Sequence, residues 1–353
     1  MKSRLFGCVA AAAIGTLAPL AEGHAAPCLT VTVTGAQGGP QAYQGLAGPG
    51  TLVSYGDDAN NCGAVRLQFD AGRGTLLRLS QVNVQSSQVN AVFFTHMHND
   101  HSEGFADLIQ RRWMIFPTSP KVDVVCSDDV ASPLGHTISC RKFVAHIADA
   151  AINSGEVAQR VAEDKRRPEG GPAALANVRT FEARNEPQAV WTSGDVKVSA
   201  VRSTHIAGHA SYRVDTPAGS VVVGGDAGND AFAPPRPAST SAQVEILAKD
   251  ADVIVHSAIH PVMGPDRDSG MPPPIFYRQS SASDLGAMAQ RAGAKHLVLT
   301  HLIPPPGAPQ QGLWKVPGGA LTEADYRKAA EDAGFKGQTL VAKDLATLRL
   351  PAK

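Results

Sequence analysis

Residues 95–101, Thr-His-Met-His-Asn-Asp-His, constrain this chain more than any other feature. They directly follow the apolar run Val-Phe-Phe at 92–94, which is typical of a buried strand. The three histidines and the aspartate are therefore expected where a strand ends and a loop begins, a usual place for chemistry. Because His96 and His98 are two residues apart, an extended chain directs both imidazoles to one side. This demanding pattern favours a site for Zn²⁺ or a similar ion over an exposed loop that is merely rich in histidine.

Length and charge restrict the class of protein. The 353 residues, 43% of them hydrophobic, are enough for one large domain or two modest ones. Lys plus Arg and Asp plus Glu both number 32, whereas a protein that binds polyanions normally carries a basic excess. Nucleic acid is therefore not expected as the main partner, although a local patch could still bind a phosphate.

Residues 1–25 have the pattern of a secretory signal peptide. A positive start at Lys2 and Arg4 precedes an alanine-rich apolar stretch, and small residues follow around Ala25. An uncleaved membrane anchor is the alternative, but the apolar stretch is short for a span of about 20 residues. We therefore expect a mature domain over residues 26–353 with no membrane span, in the periplasm or secreted.

The cysteines predict disulfides. Cys8 leaves with the signal peptide, so four of the five cysteines remain, an even number that suggests pairing in an exported protein. Four cysteines allow three connectivities. We favour Cys28–Cys62 and Cys126–Cys140 because they close the shorter loops, while reduced buried thiols are the alternative that export disfavours.

Hydrophobic periodicity predicts many strands with helices between them. Strands are expected at 29–33, 51–55, 65–69, 92–94, 122–125, 178–181, 196–201, 210–214, 221–223, 251–255 and 297–300. Helices are expected at 75–81, 104–113, 141–166 in two pieces, 239–249, 283–292 and 323–333. Such an order suits mixed sheets that stack on each other and carry helices on the outside.

Three further metal-ligand side chains follow later apolar runs. His205 follows the strand expected at 196–201, Asp226 follows Ser-Val-Val-Val-Gly-Gly, and His301 follows Leu-Val-Leu-Thr. Strands that converge at one edge could bring all three together with the first cluster.

These motifs resemble the metallo-β-lactamase superfamily, and more closely its ribonuclease Z-like branch, which also holds alkyl- and arylsulfatase-type hydrolases. The resemblance covers roughly residues 29–305. It rests on five features, which are the Thr-His-x-His-x-Asp-His loop, Phe-Asp-Ala-Gly-Arg-Gly-Thr at 69–75, the spacing from His205 to Tyr212-Arg213, Gly-Gly-Asp-Ala-Gly at 224–228 and Leu-Val-Leu-Thr-His at 297–301. The implied fold is α/β (α+β), a four-layer αββα sandwich with the metals at one edge of two sheets.

The resemblance also implies two Zn²⁺ ions per chain. The implied ligands are His96, His98 and His205 for one ion, Asp100, His101 and His301 for the second, and Asp226 for both. Two divalent ions about 3.5–4 Å apart need such a shared anion. Because water on zinc loses its proton near pH 7, a hydroxide nucleophile is expected at neutral pH.

Asp100, His209 and Gln279 are the candidate catalytic residues. His209 competes with His205 as a ligand, but the family spacing favours His205, which leaves His209 facing the substrate or lying at the surface. Gln279 stands where the branch carries a histidine that assists the leaving group, and glutamine cannot deliver a proton. Either a further residue serves, or the leaving group is already good, as a phenolate is. The further residues considered are His256, His260 and Tyr277, each of which can equally be structural.

Asp70 has two interpretations of equal weight. In this family such a residue supports the metal loop, through a hydrogen bond to a ligand histidine. Otherwise it is an aspartate that serves only the turn after a strand.

Together these features predict an exported dinuclear zinc hydrolase of phosphate or sulfate esters, with a small-molecule substrate. A lactone, carboxyl-ester or β-lactam hydrolase on the same scaffold is the alternative. A tRNA 3′-processing ribonuclease Z conflicts with export, neutral charge and Gln279, and a catalytically idle metal-binding protein conflicts with the complete ligand set. A homodimer is allowed, since relatives commonly dimerise.

Overall fold

The computed structural model describes residues 26–350, so the signal peptide expected at residues 1–25 lies outside the described residues. The strands in this range are β1 (Pro27–Gly35), β2 (Gly50–Asp57), β3 (Val65–Phe69), β4 (Ala91–Phe93), β5 (Val122–Ser127), β6 (Val130–Ala131), β7 (Thr137–Ile138), β8 (Ala176–Phe181), β9 (Gln188–Ser193), β10 (Val196–Arg202), β11 (Ala210–Thr216), β12 (Gly219–Val223), β13 (Val253–Ile259), β14 (His296–Ile303), β15 (Gln310–Gln311), β16 (Trp314–Lys315), β17 (Gln338–Val341) and β18 (Thr347–Leu350). The helices are α1 (Thr75–Gln81), α2 (Asn99–Ser102), α3 (Phe105–Ile115), α4 (Cys140–Asn153), α5 (Glu156–Glu163), α6 (Ala242–Leu247), α7 (Pro273–Tyr277), α8 (Ala282–Arg291) and α9 (Glu323–Asp332).

Two seven-stranded sheets form the centre of the molecule. Their strand orders are β18-β1-β2-β3-β4-β5-β8 and β17-β14-β13-β12-β11-β10-β9. In the first sheet, the strands from β3 to β8 are parallel, and in the second sheet the parallel strands run from β12 to β17. The remaining pairs are antiparallel. Because parallel strands end at the same edge, each sheet presents several strand ends and their following loops together.

The two sheets pack face to face through an apolar core. Phe69 and Phe93 stack with ring centroids 4.7 Å apart, and Tyr212 from the opposite sheet lies 5.4 Å from Phe93. The Tyr212 hydroxyl donates a hydrogen bond of 2.8 Å to the carbonyl oxygen of Phe94, which satisfies its one polar atom. These inward residues alternate with outward ones along each strand, as the predicted period of two requires.

Helices cover the outer face of each sheet. The core of the first outer layer joins α1, α3, α4 and α5 to the first sheet, and that of the second joins α6, α8 and α9 to the second sheet. The four-layer αββα sandwich is therefore confirmed. Within residues 26–350, every helix is too short or too polar to cross a bilayer.

Both predicted disulfides are present. Cys28–Cys62 ties β1 to the turn after β2, with the Cα atoms 5.4 Å apart. Cys126–Cys140 ties β5 to the first residue of α4, with the Cα atoms 6.5 Å apart. The second bridge closes the loop that carries the β6–β7 hairpin.

Candidate metal centre

The predicted ligands meet at one edge of the two sheets. His96 and His98 follow β4, and the short helix α2 supplies Asp100 and His101. His205 follows β10 and Asp226 follows β12, both from the second sheet. The seventh predicted residue, His301, lies within β14 and not after it, as a strand ending at residue 300 would require. The structure thus brings together all seven residues that the sequence singled out.

A β-bulge explains the position of His301. The pairing of β13 with β14 skips from Thr300 to Leu302, so His301 is the extra residue, and its φ is 46°. Bulges of this kind redirect a side chain while the strand continues. A left-handed backbone at a residue other than glycine is strained, and such strain is found preferentially at functional sites.

The first group consists of three imidazoles. His96 Nε2 lies 2.8 Å from His98 Nδ1, and His98 Nδ1 lies 3.3 Å from His205 Nε2. One ligand atom from each residue falls within 4.8 Å of the others, which is the spacing needed to hold one metal ion. Two further groups meet the same criterion: His96, His101 and Asp226, and Asp100, His101 and His301.

The Asp226 carboxylate lies between these groups. Its Oδ2 atom is 3.3 Å from His301 Nε2, 3.5 Å from His101 Nε2 and 3.6 Å from His205 Nε2. Asp100 Oδ2 lies 3.3 Å from His301 Nε2 on the far side. One carboxylate oxygen therefore faces imidazoles of both proposed ion sites, as a bridging ligand would.

The electrostatics of the cluster fit a cation. Burial lowers the pKa of His205 to about 3 and that of His96 well below its usual value, so both imidazoles are neutral at pH 7, the form that binds metals. Burial also opposes a charge on His101, yet the carboxylates of Asp226 and Asp70 raise the pKa of His101 well above its usual value. His101 Nε2 and Asp226 Oδ1 are buried without a hydrogen-bond partner among the described residues. Buried polar atoms are normally satisfied, and an ion at this position would satisfy both.

Asp70 supports the cluster from behind. Its carboxylate accepts hydrogen bonds of 2.8 Å from the Thr95 amide, from the Thr95 hydroxyl and from His101 Nδ1. These bonds fix the His101 ring so that Nε2 points at Asp226. Of the two interpretations of this residue, the structure supports the hydrogen bond to a ligand histidine.

His209 is buried, so of its two expected positions the one at the surface is wrong. Its side chain is 1% exposed, with Nδ1 2.7 Å from the Ser203 hydroxyl. Nε2 accepts a hydrogen bond of 3.2 Å from the Asp226 amide, so the ring lies outside the three groups that could hold a metal and fixes the loop of one of their members.

A cavity of about 270 Å³ opens over the cluster. Gln279, 6% exposed, lines it beside Asp100, His205 and His301. Gln279 therefore borders the space where a substrate would lie.

None of the three alternatives to Gln279 is among the described residues that line this cavity. His256 is buried with Nδ1 2.8 Å from the Ser257 carbonyl oxygen. His260 caps a turn by accepting from the Val262 amide. The ring of Tyr277 packs against a guanidinium at 5.1 Å. Their positions favour structural roles.

Arg278 is a site residue that the sequence analysis missed. This residue lines the cavity, its Nε is buried without a hydrogen-bond partner among residues 26–350, and its carbonyl oxygen accepts from His205 Nδ1 at 3.3 Å. The sequence offered one indication, namely that this arginine directly precedes Gln279. The guanidinium adds a fixed positive charge to the cavity.

The sequence profile of the family described as "Beta-lactamase superfamily domain" matches residues 66–302, more than half of the chain. The chain belongs to the beta-lactamase superfamily. This membership confirms the prediction of a metal-dependent hydrolase, and the matched span includes every residue of the cluster.

Comparisons of the whole chain of this beta-lactamase superfamily protein agree with the family profile. It is 27% identical over 290 residues to a protein named "Ribonuclease Z" from Mycobacterium sp. (strain KMS), covering 81% of this chain and 88% of that protein. Its fold is similar to the metallo-beta-lactamase fold protein YhfI from Bacillus subtilis, with a TM-score of 0.59, 19% identity and coverage of 92% and 99%. Human tRNase Z, short form, gives a TM-score of 0.55, 16% identity and coverage of 91% and 99%. The resemblance to the ribonuclease Z-like branch is thereby confirmed.

Proposed function

We propose that this beta-lactamase superfamily protein is an exported hydrolase of small phosphate or sulfate esters that holds two zinc ions. The observation that carries the proposal is the seven-residue cluster, which opens into a cavity that also contains the Arg278 guanidinium. Imidazole and carboxylate ligands suit zinc, and a nearby fixed cation suits an anionic ester.

The residues fit two ions that share one carboxylate. His96, His98 and His205 would hold one ion, Asp100, His101 and His301 the other, and Asp226 would contact both. Zinc bound there would act as a Lewis acid and make a nucleophile from water near neutral pH.

The protein's own groups would bind and orient the ester. The Arg278 guanidinium would bind a nonreacting oxygen of the phosphate or sulfate. The Gln279 amide would donate a hydrogen bond to the leaving oxygen, but it cannot supply a proton. Because His256, His260 and Tyr277 are not among the described residues that line this cavity, we infer that good leaving groups such as phenolates, which need no proton, are preferred.

A small ester is favoured over RNA and over neutral substrates. The name of the mycobacterial relatives implies RNA cleavage by those proteins, but this chain has equal numbers of basic and acidic residues. Lactones, carboxyl esters and β-lactams that carry no negative charge would leave the Arg278 guanidinium unpaired in the cavity.

The test is a parallel screen on the mature protein with metal analysis of the same sample. We expect about two zinc equivalents per chain and cleavage of bis-p-nitrophenyl phosphate, p-nitrophenyl phosphate or an aryl sulfate. Chelation should abolish this activity and zinc should restore it. Activity that survives thorough chelation, or preferential cleavage of precursor tRNA, a lactone or a β-lactam, would overturn the proposal. Sequencing the amino terminus of the mature protein from a periplasmic fraction tests export.

Arg278→Ala tests the anionic substrate. Loss of a charge-assisted hydrogen bond should raise KM for bis-p-nitrophenyl phosphate about tenfold or more. The control is p-nitrophenyl acetate, whose neutral ester should show the same KM with both proteins. An equal rise for both substrates would mean that Arg278 shapes the cavity and does not recognise charge.

A further inference from the structure

We propose that a second, larger cavity beside the cluster binds an uncharged apolar chain or ring of the ester substrate. This inference rests on the proposed function and names its substrate class as amphiphilic esters, with an anionic centre and an apolar substituent. The cavity measures about 950 Å³. We call it the apolar groove, and its apolar lining includes Met97, Val130, Leu134, Ile138, Ile206 and Phe232.

The apolar groove begins at the candidate metal centre. His98 and His205 line both the groove and the smaller cavity that contains Arg278 and Gln279. A phosphate diester whose phosphorus lies over the cluster can therefore extend one substituent directly into the groove. The opposite substituent would face Gln279 as the leaving group.

The walls of the groove come from separate loops. The β6–β7 hairpin, tethered by the Cys126–Cys140 disulfide, supplies one wall, and the loop between β10 and β11 supplies another. Leu134 is 84% exposed and Phe232 is 49% exposed, although both are large apolar side chains. Clustered exposed apolar residues beside a concave surface are typical of a binding site.

The charges of the groove exclude an anionic occupant. Its charged lining residues are Asp128, Asp129, Glu182 and Arg202. The guanidinium of Arg202 lies 3.6 Å from the Asp230 carboxylate, so a partner outside the lining already neutralises it. The Glu182 carboxylate likewise lies 3.0 Å from Arg184, so Asp128 and Asp129 are the lining carboxylates that would repel the successive phosphates of a nucleic acid. An uncharged apolar substituent is the occupant that both the lining and the charge accept.

The substrate test uses a series of p-nitrophenyl phosphate diesters whose second group is methyl, butyl or octyl. Each buried methylene should improve kcat/KM by up to about fourfold. We therefore expect the octyl diester to exceed the methyl diester at least tenfold in kcat/KM. In Leu134→Asp, this ratio should fall at least fivefold. The matched control is Leu77→Asp, because Leu77 is 65% exposed on α1 and lines neither cavity.

Binding of N-phenyl-1-naphthylamine gives a readout that needs no turnover. This neutral apolar fluorophore should bind the metal-chelated protein and the Leu77→Asp variant equally. Leu134→Asp should weaken the affinity at least fivefold. Equal binding by all three proteins would overturn the groove as a binding site.

The outcomes separate this inference from the proposed function. If the zinc-loaded protein cleaves all three diesters with equal kcat/KM, the inference alone is overturned. If it cleaves none of the diesters but does cleave p-nitrophenyl phosphate or an aryl sulfate, the inference alone is again overturned. If it cleaves none of these esters, the proposed function fails and the substrate class fails with it. If Leu134→Asp converts a dimer to a monomer without changing the diester ratio, the groove is a self-association surface and the inference is wrong.

Discussion

Asp70 shows how a residue that is not among the proposed ligands can determine the affinity of the centre for zinc. Its carboxylate holds His101 Nδ1 and both donors of Thr95, so it orients one proposed ligand and the loop that carries two more. Asp70→Asn should lower zinc affinity ten- to a hundredfold, the usual effect of removing such a partner. Competition with a chromophoric chelator measures this. Asp332→Asn, whose carboxylate is 62% exposed on α9, is the control, and equal affinities in the two variants would refute the role.

His256 makes stability depend on pH. Burial lowers its pKa to about 4, whereas the unfolded imidazole titrates near 6.5. The unfolded chain therefore binds more protons between these values, and stability falls as pH decreases through this window. The contribution lost between pH 7 and pH 5 is about 2 kcal/mol.

Comparison with His256→Leu isolates that contribution. The free energy of unfolding of the metal-chelated protein is measured in urea at pH 7 and pH 5, for the wild type and for the variant. We expect the variant to lose about 2 kcal/mol less on acidification. Equal losses in the two proteins would show that His256 is protonated in the folded state.

The composition of the cluster was predictable because each ligand type follows an apolar run. The role of His209 was not, since its partner is the backbone amide of Asp226, which a sequence pattern does not reveal. Arg278 was missed because its direction depends on α7, a short helix in a proline-rich stretch whose fold is set by tertiary packing.

At the scale of elements, hydrophobic periodicity predicted a helix or strand best where the local sequence alone defines that element. The prediction of a helix at 75–81 matches α1, and the break within 141–166 matches the gap between α4 and α5. The strands β9, β17 and β18 were missed, and each lies at the edge of its sheet, where pairing with a single neighbour defines the strand. The sandwich itself came from the resemblance, because stacking of two sheets is a long-range property.

The turn after β12 brings the two sheets together at the centre. Gly225 has a φ of 60°, and a Cβ atom there would lie 2.8 Å from the Thr95 side chain. Gly225→Ala should therefore lower the free energy of unfolding by about 1–3 kcal/mol more than Gly194→Ala. Gly194 is a matched control, since its φ is 52° and no heavy atom lies within 4 Å of the added methyl position. Urea denaturation measures both, and equal losses would show that Thr95 moves aside without cost.

At the scale of the whole molecule, the candidate centre exists only when both sheets are packed. The first sheet and its loops supply His96, His98, Asp100 and His101, and the second supplies His205, Asp226 and His301. Because the ligands come from both halves, an ion bound here stabilises the complete domain. Zinc that binds only the folded chain should therefore stabilise it by about 2.7 kcal/mol at a hundredfold excess over Kd.

Hydrogen exchange tests whether this stabilisation is global. Zinc should slow amide exchange in the central strands of both sheets, β3 to β5 and β12 to β14, because opening either half exposes the same ligands. Asp226→Ala, which removes the carboxylate between the two groups, should abolish the effect in both sheets together. Protection confined to residues 95–101 would mean that metal binding orders one loop and leaves the packing of the sheets unaffected. If zinc slows exchange equally in both sheets, zinc binds only the completely folded domain. The amount of zinc retained would then measure the fraction of folded protein.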